Sequence, residues 1–334
     1  MTGPVVLAVV SEQLWAEFFS AQDEARVRAA AGALGGGLLR VDRIADAPDT
    51  ASVRVLITSW GVDRIDGPVL ARFPRLELVA HTGATVKPYV SDELFDRGVV
   101  VTQAGAGMAR AVGEVSLAFT LALLHRIPQL YDGLRAPGGW YDADAAGVQH
   151  EILGAPIAVI GASRTGRAYL ALIRALGARP LLVDPTIDAA AAADLGAELV
   201  ELDEALGRAL VVAVHAPTLP ETRHLIGARE LALMPDGASL VNTARSWVVD
   251  ERALLAEVRR GRIAAALDVF DEEPLPADSP LRGLPNLLLT PHRAAGTREG
   301  RLSQGRIVAD EIEAFAAGRP LGHTVTRAQL STMG

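Results

Sequence analysis

Short, almost wholly apolar runs alternate with helix-forming segments along nearly the whole chain, and they fall into two series. The first series comprises residues 5–10, 38–41, 53–58, 76–80 and 99–102. The second comprises residues 157–160, 181–184, 199–201, 210–215, 239–242, 263–268 and 287–290. A strand with one solvated face alternates apolar and polar residues. Runs that lack this alternation are buried on both faces, as in parallel sheets. Segments 12–20, 167–176 and 251–260 carry helix formers between the runs. Such strand-helix alternation predicts doubly wound α/β domains, and two series predict two of them.

The remaining segments fit that frame. Residues 111–127 predict a crossover helix that stops before Pro128, and a last helix over 298–317 ends at Gly318-Arg319-Pro320. Residues 135–149 read as a linker or surface loop. A chain of 334 residues accommodates two domains, and with half its residues apolar and 22% charged it can build cores in both. The 32 basic against 40 acidic residues give a net charge of -8, which argues against a nucleic-acid partner. There is no cysteine, which excludes disulfides, thiolate metal sites and cysteine nucleophiles, and no metal is expected. The apolar runs at 5–10 and 115–124 are too short to span a bilayer, so no membrane partner and a cytoplasmic location are expected.

Residues 157–160 lead directly into Gly161-Ala162-Ser163-Arg164-Thr165-Gly166, after which a helix begins. Strand, glycine turn and helix in this order make a dinucleotide site, where free N–H groups at the helix start face a pyrophosphate. Ser163 stands where the middle glycine is usual and makes the approach tighter. Asp184 ends the next strand, where a carboxylate accepts hydrogen bonds from ribose hydroxyls. Pro185 and Thr186 follow it with no adjacent arginine, which favours NAD over NADP.

Further along come Asn242-Thr243-Ala244-Arg245, then Asp268-Val269-Phe270-Asp271-Glu272-Glu273-Pro274, then Thr290-Pro291-His292. Each lies at or just past the C-terminal end of a predicted strand, the edge at which open parallel sheets bind ligands. With the 214–217, 220–222 and 231–241 segments, these motifs resemble the D-isomer-specific 2-hydroxyacid dehydrogenase family over nearly the whole chain. The arginine of its NTAR segment, the glutamate of its EP pair and the histidine of its TPH motif match Arg245, Glu273 and His292.

The resemblance implies NAD-dependent interconversion of a 2-oxo acid and a D-2-hydroxy acid. His292 would give a proton to the 2-oxo oxygen, Glu273 would orient its ring and favour its charged form, and Arg245 would hold the substrate carboxylate. Asp268 would lie near the carboxamide face of the cofactor. Thr243, Pro217, Thr222 and His215 would border the cofactor, with His215 near its ribose. The loop from His81 to Thr85 would grip the substrate carboxylate through the backbone N–H groups of Ala84 and Thr85.

The family fold implies a flavodoxin-like substrate domain, residues 1–107 with 295–334, and an NAD-binding domain, residues 108–294. The active site is expected in a cleft between them, and a homodimer is expected through the cofactor domain. Three positions depart from the family pattern: Ser163, Ser246 where a glycine is usual, and Val86-Lys87-Pro88 where an acidic or amide residue is usual. Lys87 is the only lysine. Facing the pocket, it would favour a substrate with a second anionic group, such as a carboxylate, phosphate or phosphonate. Two other readings stay open: a formate dehydrogenase-like enzyme, which Glu273 disfavours because that family pairs its histidine with an amide, and an NAD-binding regulatory protein.

Overall fold

The computed structural model describes residues 3–135, 139–140 and 147–333. It divides into two compact units, Met1–Met108 with Gly296–Gly334, and Ala109–Ala295.

The first unit is built on a five-stranded parallel sheet of order β2-β1-β3-β4-β5. Its strands are β1 (Pro4–Val9), β2 (Gly37–Val41), β3 (Val55–Thr58), β4 (Leu78–His81) and β5 (Val100–Gln103). Successive side chains leave a strand on opposite faces, so an apolar run feeds two cores at once. Val6, Ala8 and Ile57 join Val27, Ala31 and Ile312 on one face. Leu7, Leu56 and Val79 join Leu70, Phe73 and Leu94 on the other. Ser11, Ser20 and Thr297 cap the helices they precede, each hydroxyl accepting a backbone N–H of the first turn.

The second unit holds a seven-stranded parallel sheet of order β12-β11-β10-β9-β6-β7-β8. The strands are β6 (Pro156–Ile160), β7 (Arg179–Val183), β8 (Glu198–Leu199), β9 (Val211–Val214), β10 (Ser239–Asn242), β11 (Ala264–Leu267) and β12 (Leu287–Leu289). Both strand orders are those of doubly wound folds, flavodoxin-like in the first unit and dinucleotide-binding in the second. Here too each strand serves two cores, with Ala158, Val212 and Leu240 on one face and Ile157, Val159 and Val241 on the other.

Two sequence expectations are corrected. The crossover helix is Ala109–Leu124, and a separate helix, Ile127–Arg135, carries Pro128 in its first turn. Between them Arg126 adopts φ 53°, which breaks the helix before the proline is reached. Proline suits a helix start, where its missing N–H costs nothing, so here it opens an element instead of closing one. Second, Gly105–Leu124 forms a helical run of 20 residues with mean hydropathy 1.4, long and apolar enough to cross a membrane by those measures alone. Its Phe119, Leu123 and Leu124 lie in the second unit's core, the position of a core helix. Most of the expected 135–149 linker lies outside the described residues.

Candidate active site

β6 and β9 are neighbours although β7 and β8 come between them in sequence. The sheet's direction of growth therefore reverses at this pair, and a crevice opens at their C-terminal ends. Gly161 leaves β6 at φ 101°, and a Cβ there would lie 2.8 Å from the backbone of Ala216. A Cβ on Gly166 would lie 2.1 Å from the Gly161 carbonyl oxygen. Glycine is thus required at both ends of the turn. At the middle position it is not: Ser163 has φ -61° and caps the helix Arg164–Ala175, its Oγ accepting the Gly166 N–H at 3.3 Å. The hydroxyl is turned into the first turn of the helix. Among the described residues the N–H groups of Ser163, Arg164 and Thr165 make no hydrogen bond. Unspent N–H groups at a helix start fit a pyrophosphate.

Asp184 stands just past β7. One carboxylate oxygen accepts the Ala162 N–H at 2.7 Å, and the other accepts the Thr186 N–H at 2.9 Å and hydroxyl at 2.6 Å. Burial works to raise its pKa, but these three bonds and the Arg167 guanidinium outweigh it and hold the group below its ordinary value. A cation is therefore close to Asp184, contributed by the helix and not by the residues after β7 where the sequence suggested none. Arg167 is itself tied by Nε to the Ala162 carbonyl at 2.9 Å.

Several residues expected to border the cofactor turn their polar atoms inward. His215 is 2% exposed, with Nδ1 3.2 Å from Thr165 Oγ1 and its ring against Tyr169. Thr222 Oγ1 accepts the Leu219 N–H and donates to the Pro217 carbonyl, which closes the 217–222 loop. Thr243 Oγ1 lies 2.7 Å from Ser116 Oγ in the Ala109–Leu124 helix. Asp268, 1% exposed, accepts from Thr290 Oγ1 at 2.5 Å, Arg293 N–H at 2.9 Å and Ala294 N–H at 2.8 Å. A buried carboxylate with three donors is satisfied where it is. It fastens the turn that follows β12.

That turn carries His292, at φ 51°. His292 Nδ1 lies 2.7 Å from Glu273 Oε2, and Glu273 Oε1 accepts the Phe270 N–H at 3.0 Å. Burial works to raise the Glu273 pKa, but the hydrogen bonds from His292 and Phe270 and the charge of Arg245 prevail and lower it. Arg245, just past β10, is pulled down by burial and back up by Glu273. Asn242, not singled out from the sequence, brackets this turn with its side chain: Oδ1 accepts the Ala244 N–H and Nδ2 donates to the Arg245 carbonyl. An asparagine at a strand end, before a turn, was the available signal. Arg245, Glu273 and His292 thus come within electrostatic reach at one edge of one sheet.

The first unit has its own polar loop past β4. The Thr82 carbonyl accepts from Gln304 Nε2 at 2.7 Å and the Gly83 carbonyl from the Ala104 N–H at 3.0 Å. The N–H groups of Gly83, Ala84 and Thr85 make no hydrogen bond among the described residues. Spent carbonyls and unspent amides suit an anion. Lys87, two residues beyond Thr85, is exposed.

Residues 117–294, more than half of the chain, match the D-isomer specific 2-hydroxyacid dehydrogenase NAD binding domain. The chain belongs to the D-isomer specific 2-hydroxyacid dehydrogenase family. It is 35% identical over 272 residues to glyoxylate reductase of Aeropyrum pernix, covering 79% of this chain and 81% of that protein. It is 34% identical over 266 residues to D-3-phosphoglycerate dehydrogenase of Methanocaldococcus jannaschii, covering 79% of this chain and 50% of that protein. The chain thus spans about half the length of the phosphoglycerate dehydrogenases it matches. Among solved structures, a phosphoglycerate oxidoreductase from Rhizobium etli superposes with TM-score 0.77 at 26% identity, over 97% of this chain and 99% of that one.

Proposed function

We propose that this chain is an NAD-dependent oxidoreductase interconverting a 2-oxo acid and a D-2-hydroxy acid. The observation that carries the reading is the His292–Glu273 pair at 2.7 Å, held on a pinned turn with Arg245 beside it. Bound NAD supplies or accepts the hydride at the substrate's second carbon. His292 Nδ1 is taken by Glu273, so Nε2 is the atom that gives a proton to the 2-oxo oxygen in reduction and removes it in oxidation. The ionised Glu273 stabilises the imidazolium and fixes the ring. Arg245 presents a planar cation to the substrate's carboxylate and oxo group.

In this reading residues 108–294 hold the cofactor through Gly161, Ser163, Arg164, Thr165 and Gly166, with Asp184 on the ribose. Residues 1–107 and 295–334 hold the substrate, its carboxylate on the Ala84 and Thr85 amides. The exposed Lys87 serves a second anionic group. Asp184, ionised and already accepting three bonds, disfavours a 2′-phosphate.

The test is NADH and NADPH oxidation on a panel of neutral and doubly anionic 2-oxo acids, with His292→Ala as control. Turnover with NADH, lost by a factor of about 10²–10⁴ in His292→Ala, is the expected outcome. Tight NADH binding without turnover of any panel member would point instead to a binding role.

The protein is further proposed to be a cytoplasmic homodimer. Ile127, Tyr131, Leu134, Val148 and Leu153 of the second unit are large apolar residues, each more than half exposed. Ile127, Tyr131 and Leu134 recur at helical spacing along Ile127–Arg135 and so share a face, and an apolar face left exposed suits a partner surface. Sedimentation velocity should give a species of twice the chain mass, and Tyr131→Asp with Leu134→Asp should halve it.

A further inference from the structure

We propose that Trp60 is a substrate-binding residue whose indole N–H is a further donor to the substrate carboxylate, beside the Gly83, Ala84 and Thr85 amides. The inference rests on the 2-oxo acid reading above and adds a residue to it.

Trp60 lies two residues past β3, at the same edge of the sheet as the loop that follows β4. Its ring is held from within the unit: the Arg301 guanidinium sits 4.4 Å from its centroid, and Phe18 is tilted against it at 5.3 Å. Yet the residue is 36% exposed, and its Nε1 makes no hydrogen bond among the described residues. An indole N–H can only donate, so any ligand it takes must offer an acceptor. The position of Nε1 shows where that acceptor belongs. A Cβ on Gly83 would lie 3.1 Å from it, so the indole nitrogen borders the backbone whose amides are unspent. Glycine at 83 keeps that space clear.

The surroundings select the ligand's charge. The Thr82 and Gly83 carbonyls are already engaged by Gln304 and Ala104, while three amides and one indole N–H are not. Donors without acceptors suit an anion, and a carboxylate can receive several of them on two oxygens. His81 Nε2 also approaches Gly83, but it is buried beneath the loop and makes no hydrogen bond to the indole.

Trp60→Phe is the decisive variant, since it keeps an aromatic ring beside Arg301 while removing the donor. The expected result is a KM for the 2-oxo acid raised about tenfold, as for loss of one charge-assisted hydrogen bond, with the KM for NADH and the thermal midpoint unchanged. A purely structural role would move the thermal midpoint and leave the substrate KM alone. An unchanged 2-oxo acid KM in a folded Trp60→Phe, beside an active wild type, overturns the inference and spares the reading of function. A wild type inactive on every 2-oxo acid overturns that reading. Should Trp60→Phe not fold, nuclear magnetic resonance of the wild type decides. Saturating oxamate should move the indole N–H signal of Trp60, assigned by substituting the other three of the four tryptophans, and an unmoved signal refutes the contact.

Discussion

His292 keeps a full-sized side chain on a left-handed backbone, φ 51°, where glycine is the usual occupant. Such a conformation persists only when the surroundings impose it. Here Glu273 imposes the ring's orientation from Nδ1, and its own carboxyl is held below the ordinary value, so it stays ionised through the neutral range. Glu273→Gln preserves the shape and removes the charge. Glu273→Gln should lower kcat/KM for 2-oxo acid reduction by about 10²-fold with the KM for NADH unchanged, because the ring loses the carboxylate that orients it. A kcat/KM equal to wild type would show that the pair plays no part in the proton transfer.

At the scale of elements, Asp268 ties the end of β11 to the turn after β12, and so governs His292 without being expected to touch substrate. Asp268→Asn would turn an amide N–H₂ toward groups that are all donors. A loss of about 2–4 kcal/mol in urea denaturation is expected, together with a fall in kcat, as the turn relaxes. Unchanged stability with lowered kcat would instead place Asp268 at the cofactor, as the sequence suggested.

The strands were legible because parallel strands buried on both faces must be apolar throughout, as 157–160 and 211–214 are. The helix break at Arg126 was not, because a proline in sequence marks a helix start as readily as a stop. Arg245, Glu273 and His292 were legible from motif and strand end. The inward turn of Thr243, Thr222, His215 and Asp268 was not, since it depends on which partner the fold delivers, Ser116 from another helix in the case of Thr243. The amides of Ala84 and Thr85 were legible only through the family resemblance of the loop from His81 to Thr85, since a backbone N–H carries no side-chain signal.

Across the whole molecule, each unit buries a neutral histidine, His81 or His215, at the C-terminal edge of its sheet. His81 and His215 are both pushed down to about 3 by burial. In the unfolded chain each titrates near its ordinary 6.5, so between about 6.5 and 3 the unfolded state binds more protons than the folded one. Stability is therefore fully present above pH 6.5 and is lost as the pH falls, by about 1.4 kcal/mol per pH unit for each histidine. The urea midpoint should drop between pH 6.5 and 5, and His81→Gln should flatten the drop. A midpoint constant over that interval would contradict the burial of both rings.

Lys87 gives the molecule an unusual chemical simplicity. It is the sole side-chain amine in the sequence, and it sits exposed two residues past the unspent amides. An acylating reagent can therefore neutralise one side-chain amine, or attach one fluorophore to it, two residues past the loop that follows β4. The ordinary lysine chemistry that decorates most proteins at random becomes, for this one, an address.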